Sequence, residues 1–306
     1  MTAEGGGRMR VEARAPRRGS VVWRYFGDAR NMLLGPPLLV LQVAHPVVGA
    51  GVLQHSNYRE EPWQRLVRTY LSLSTVIYGG QRGAERETAR LRRLHETIRG
   101  VDDQGRRYHA LHPEAYLWVH ATLVQGGVDA HRTFGRPLTD AQTAEYYADM
   151  RQVGLLLGLR EHHLPADWAS FRAYYDERVL NRLEDNQAVW DVIDSVRHLK
   201  KPLAVIPSFV WRPVGAGAGR LAHLVLVGAL PEVLRDRLGL TWSPEQERRL
   251  RRFARVVRGT MALVPPPLRT AGGRMAARIV TARADRRERH DPPAGHDRAP
   301  ARLPAG

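Results

Sequence analysis

The chain has 306 residues, 43% hydrophobic and 25% charged, enough to bury a sizeable core and too apolar for a wholly disordered chain. It contains no cysteine, which excludes disulfides, thiolate metal ligands, iron–sulfur clusters and a cysteine nucleophile. The ends carry half of the net charge of +16: residues 1–18 hold five Arg against two Glu, and residues 269–306 hold nine Arg against four acids. Between them, basic residues are mixed with acids along helical patterns, which argues against nucleic acid as a partner.

Residues 1–19 are rich in Gly and Arg and lack the apolar core of a secretory signal; they read as a disordered tail of a cytoplasmic protein. Val21–Met32 is a first amphipathic helix, stopped before Gly35-Pro36-Pro37. Met32 to Leu53 carries no charge over 22 residues, long enough to cross a bilayer. Its three prolines, with Gln42 and His45, favour a buried helix pair instead, Leu38–Gly49 and a short piece to His55. Peripheral membrane contact stays open.

A long helix is expected from Glu60 to Tyr78, opening on Glu60-Glu61-Pro62 and ending at Gly79-Gly80. Further helices are expected over Gly83–Arg99, Pro113–Leu123, Asp140–Leu157, and from Asp167 through Tyr174. The last are Asp185–His198, Leu221–Leu238 and Ser243–Leu263. Ala204–Val210 is the best of few strand-like stretches, and Gly215-Ala-Gly217-Ala-Gly219 reads as a loop. Residues 270–306 read as a second disordered, Arg- and Pro-rich tail. The fold class is therefore mainly α: a single multi-helix globular domain over residues 20–269 with disordered basic termini.

Polar residues in apolar places are the informative ones. On Glu60–Tyr78, Leu66, Tyr70, Leu73 and Ile77 make an apolar row, beside which Arg65, Arg68, Thr69 and Ser72 form a polar stripe. Either that stripe meets solvent or acids of a neighbouring helix, or it lines a cavity for an anionic ligand. His95 lies in the sparse apolar row Ala84, Thr88, Leu91, His95, Ile98 of an otherwise charged helix. It can be an ordinary core histidine or a metal ligand. His120, beside Trp118 and Val119, poses the same choice. His45 and His55 stand ten residues apart across Pro46, which is no standard ligand spacing. Glu96, Glu145 and Asp149 are near candidate histidines in sequence, so a histidine–carboxylate iron site is also considered. HExxH, GxSxG and Walker motifs are absent.

These features occur in a particular order: Gly35-Pro36, QVAHPVVGAGVLQHS, Arg65-x-x-Arg68-Thr69, Gly79, His95 with Gly100, and Trp118-Val119-His120. Pro137-Leu138, Glu145-Tyr146-Tyr147 and Leu230-Pro231-x-x-x-Arg235-x-x-x-Gly239-Leu240 follow. Over residues 20–270 the chain resembles the MpaB/latex-clearing-protein (rubber oxygenase) catalytic domain. The resemblance implies an α-helical oxidoreductase that binds b-type haem and uses O2 to cleave olefinic bonds of isoprenoid chains. It implies His95 as the proximal iron ligand, with His120 as the alternative. Arg65 and Thr69 match the polar pair on the haem-lining helix. Arg68 stands where rubber-cleaving members can place a lysine as distal ligand. Arginine does not normally ligate iron, so the far side would hold water, His45, His55 or another group.

The expected function is a haem-dependent oxygenase acting on a small, apolar, isoprenoid-like substrate. A non-catalytic carrier of haem or an apolar ligand, and a basic helical protein binding nucleic acid or membrane, are the alternatives. Neither substrate nor oligomeric state is specified.

Overall fold

The computed structural model describes residues 13–55, 62–201 and 207–290. It is all helix apart from one small antiparallel hairpin, so the mainly α expectation holds. The helices are α1 (Val21–Tyr25), a 3-10 turn (Ala29–Leu34), α2 (Gly35–Val43), α3 (Pro46–His55), α4 (Pro62–Tyr78) and α5 (Gly80–Glu96). Strands β1 (Arg99–Val101) and β2 (Arg107–His109) follow, then α6 (Pro113–Phe134), α7 (Asp140–Leu156) and α8 (Trp168–Asn181). The chain closes with α9 (Gln187–Arg197), α10 (Ser208–Ala229), α11 (Glu232–Arg237), α12 (Pro244–Ala262), α13 (Pro266–Arg269) and α14 (Ala271–His290).

The uncharged stretch folds inward as anticipated. The helical segment ending at Val43 and α3 meet at 103°, across Ala44 and His45. Among the described residues no single helix is long and apolar enough to cross a membrane. Pro46 cannot donate a backbone hydrogen bond, so the carbonyls before it need other donors. Trp118 Nε1 donates to Leu41 O (2.8 Å), Asn186 Nδ2 to Val43 O (2.9 Å) and the Glu184 amide to Ala44 O (2.8 Å). Gln42 donates to Thr122 Oγ1 (3.0 Å). The elbow is thus clamped by α6 and by the segment leading into α9. Around it lies the main core, including Val40, Leu41, Val43, Trp118, Tyr146, Met150, Ile193 and Leu226.

Several expectations are corrected. The first helix splits at Gly27-Asp28, because Tyr78 Oη occupies the space a Gly27 side chain would need and Asp28 caps a new turn. α6 runs on to Phe134 through Gly126 and Gly127, whose missing side chains admit Leu38 and Tyr146. The Gly215–Gly219 run, expected as a loop, lies inside α10, with Gly219 pressed against the Arg197 carbonyl. Close packing selects the helix there, overriding glycine's local preference. Of the strand-like stretch, residues 204–206 lie outside the described residues, and Ser208–Val210 are helical, forming the start of α10. The β1–β2 hairpin was not anticipated: with only three residues per strand it shows no period-2 pattern.

Two tail assignments also change. Residues 13–19 are tied down, since the Arg14 and Ala15 amides donate to Gln152 and Gln81, and Gln81 donates to Ala13 O. The expected C-terminal tail is a helix up to His290, laid against α4. Its small residues allow it: a Cβ at Gly273 would stand 3.0 Å from Tyr78 Cε2 and 3.2 Å from Gly27 Cα. Ala276 and Ala277 are buried, and Asp285 accepts from Arg86 of α5 at 2.6 Å. Close backbone approach holds α14, so the sequence shows no broad apolar stripe.

A Cβ at Gly49 would lie 2.6 Å from Val43 O and 3.0 Å from Asn186 Nδ2, at the clamp itself. Gly49→Ala is expected to lower stability by about 1–3 kcal/mol, read as a lower urea midpoint at unchanged slope.

Candidate functional site

The α4–α5 hairpin gathers most of the singled-out residues at one end of the molecule. α4 and α5 are joined through Gly79 and pack side by side. At 1.5 Å per residue, the last turn of α5 returns to the level of the first turn of α4. His95 stands in the last turn of α5, and Arg65, Arg68 and Thr69 in the first half of α4. His55, the last residue of α3, contacts the same end: its Nε2 lies 3.1 Å from Arg99 O, at the start of β1. Arg65 is placed on α4 by its backbone. Arg68 is exposed and makes no ion pair with a described residue, and Thr69 is half-buried. Further along the stripe, buried Ser72 accepts from Arg90 of α5 (2.9 Å), whose charge Glu87 balances at 2.6 Å. Part of the stripe is thus a conventional interhelical network.

His95 is half-buried, its ring edge-on to Tyr116 with centroids 5.5 Å apart. Nδ1 lies 2.7 Å from Leu91 O. A carbonyl only accepts, so Nδ1 is the donor in this contact. Beside Tyr116 a small cleft of about 70 Å³ is lined by Arg92, Pro113, Leu157, Leu159 and His163. The β1–β2 hairpin is tied to α3 here: Gln54 donates to Val101 O (2.7 Å) and accepts from Tyr108 Oη (2.7 Å). Gly100 leaves room for both, since a Cβ there would be 2.8 Å from each oxygen.

His45 and His120 belong to the interior. His45 lies at the elbow, ten residues of helix from His55, so α3 holds the two about 15 Å apart. The structure does not bring them into one cavity. Burial lowers the His45 pKa to about 4, although Glu114 opposes the shift, and its Nδ1 has no hydrogen-bond partner. His120 is fully buried. Neither of its ring nitrogens makes a well-directed hydrogen bond, although the Met150 carbonyl lies close enough to favour protonation. Burial takes its pKa to about 4 as well. Gly154 of α7 accommodates it, for a Cβ there would be 3.1 Å from His120 Nε2.

The carboxylates near these histidines have other work. Glu145 and Asp149 accept from the Val21 and Val22 amides (3.2 and 3.3 Å), fixing the start of α1. Glu96 pairs with Arg92 at 3.6 Å. Among the described residues no group of three His, Asp or Glu side chains is arranged to hold a metal ion.

One buried cluster was missed in the sequence. Arg30 forms a two-point pair with Asp28 (2.8 and 2.6 Å), and His131 packs edge-on to Tyr25 at 4.6 Å. Burial, reinforced by Arg30, lowers the His131 pKa. His131 is more than 100 positions from Asp28 and Arg30 in sequence, and no periodicity links them.

The comparisons now bear on this geometry. The family described as ER-bound oxygenase mpaB/B'/Rubber oxygenase, catalytic domain, matches residues 23–259. The chain belongs to this family. It is therefore an oxygenase-type enzyme by family, and the expected resemblance is borne out. It is 30% identical over 245 residues to the uncharacterized protein Mb2261 of Mycobacterium bovis, across 76% of this chain and 90% of that protein. The uncharacterized protein Rv2237 of Mycobacterium tuberculosis matches with the same identity and coverage. No solved structure matches the chain.

A histidine that folding holds neutral binds a proton more readily in the unfolded chain. For His45 and His120 stability is complete above about pH 6.5 and is lost as pH falls towards about 4. The loss is on the order of 3 kcal/mol for each group. Urea titrations across this range are expected to show the decline, and His120→Gln to flatten roughly half of it.

Proposed function

We propose that this family member is a haem-dependent oxygenase, with b-type haem bound at the open end of the α4–α5 hairpin and an apolar, isoprenoid-like substrate. The observation that carries the reading is the His95 Nδ1 contact with Leu91 O at 2.7 Å. A histidine that ligates iron through one nitrogen characteristically donates its other N–H to a backbone carbonyl, which fixes the ring and raises its basicity. The Tyr116 edge restrains the same ring.

The residues present fit the group. Haem asks the protein for as little as one axial imidazole, which suits a cysteine-free chain whose described residues gather no three-ligand site. Its propionates are anions, and Arg65 and Arg68 stand on the helix beside His95; Arg68 keeps a guanidinium without a described counter-charge. Thr69 supplies a hydroxyl on the same face. When bound, haem would supply the activation of O2 and the oxidation of the substrate. The chain's own part is to hold the iron through His95 Nε2, neutralise the propionates through Arg65 and Arg68, and donate a hydrogen bond from Thr69. His55, at the end of α3, would be a candidate group for the far side of the haem, whereas His45 and His120 are buried.

An absorption spectrum after haem supplementation, oxidised and then reduced, tests the reading. A Soret band that shifts on reduction, is lost in His95→Ala and returns with added imidazole is the expected result. A wild type that takes up no haem, or a His95→Ala spectrum identical to wild type, overturns it.

A further inference from the structure

The face of α12 turned away from the core is a stripe of arginine that runs out into bare leucine. Leu250, Phe253, Ala254 and Val257 pack the helix onto Phe134 and Ala130. On the other side, residues 248–258 contain six arginines and no acid. Arg249 and Arg251 are paired with Glu245 and Glu247 one turn earlier. Arg248, Arg252, Arg255 and Arg258 have no carboxylate partner among the described residues, and at spacings of 4, 3 and 3 they share one exposed side.

The end of α12 and the turn into α13 expose apolar side chains. Val256 is 58% exposed, Leu263 84% and Leu268 63%, and Leu263-Val264-Pro265-Pro266-Pro267-Leu268 carries no charge. The turn's backbone is unusually short of unsatisfied polar groups. Its three prolines have no amide hydrogen, Arg269 donates to Val264 O (2.8 Å) and Ala262 O (3.4 Å), and Arg274 donates to Pro267 O. A knuckle whose carbonyls are capped from within can leave water at modest cost, while its leucines gain by doing so.

We propose that this face docks on an anionic lipid surface. Leu263 and Leu268 enter the headgroup boundary, and Arg248, Arg252, Arg255 and Arg258 meet lipid phosphates behind them. The charge complementarity names the partner. An uncompensated arginine row attracts anionic headgroups, and apolar insertion supplies the second of the two signals that stable interfacial binding requires. A nucleic acid would use the arginines and leave the leucines idle; a second copy of this chain would bring the same positive row against itself.

Cosedimentation of the full chain with phosphatidylcholine vesicles, with and without phosphatidylglycerol, at about 0.1 M salt tests the proposal. The wild type is expected to bind the anionic vesicles at least ~10-fold more tightly than the neutral ones. Replacing the four arginines by Gln is expected to weaken that binding ~100-fold or more, and Leu263→Asp with Leu268→Asp at least ~10-fold. All six side chains are exposed, so the unfolding midpoint is expected to be unchanged. The proposal is overturned by equal affinity for both vesicles or none for either. It is overturned equally if the arginine variant binds like wild type, which would move the attraction to the basic termini. Duplex DNA retardation lost only in the arginine variant, without vesicle binding, would make this a nucleic-acid face. A vesicle-free dimer broken by the leucine variant would make it a contact between copies.

Discussion

An uncharged stretch of more than twenty residues can be folded inward only if the backbone groups released where it bends are satisfied inside the protein. The Ala44–His45–Pro46 elbow meets that demand with three donors from distant parts of the chain: Trp118, Glu184 and Asn186. Gly49 allows the approach, because any side chain there would stand on the Val43 carbonyl. Much of the architecture follows. α6 must pass close enough for Trp118 and Thr122 to reach α2, and α9 must begin where Asn186 can both cap it and hold the elbow. α3 is then aimed so that its last residue, His55, meets the β1–β2 hairpin beside His95.

Histidines divide into two classes by this packing. His45, His120 and His131 are neutral because burial makes the charged form costly, and none has a carboxylate at hydrogen-bond distance to offset it. His95 keeps partial exposure, and its Nδ1 donates to the Leu91 carbonyl.

Arginine, which supplies nearly all the positive charge, does much of its work on backbone carbonyls. Arg235 donates to Leu230 O (2.9 Å), Arg237 to Leu180 O (2.7 Å) and Arg269 to Val264 O (2.8 Å), closing helix ends that glycine or water would otherwise close. A planar guanidinium with five donors can bridge two carbonyls at once, which a lysine ammonium does with less directional control. The high isoelectric point is thus partly a by-product of how loops are tied. The row on α12 is put to a different use: Arg248, Arg252, Arg255 and Arg258 are exposed without a carboxylate partner among the described residues, and Arg258 reaches only the Ala254 carbonyl of its own helix (3.4 Å).

The sequence by itself determined the helical class, the inward turn at Pro46, the helix pair at Gly79 and the placing of His95 and the Arg65–Thr69 stripe on it. Each depends on proline, glycine or 3.6-residue periodicity, which act over a few residues. Tertiary structure alone decided that α14 is a helix, that Gly215–Gly219 lies within one, and that His120 is core while His95 stands at the open end. It also revealed the Asp28–Arg30–His131 cluster, and it spent Glu145 and Asp149 on α1, taking them away from any iron site. These depend on which surfaces come within a few ångströms of each other, and that distance is set by residues a hundred positions away, which no local pattern records.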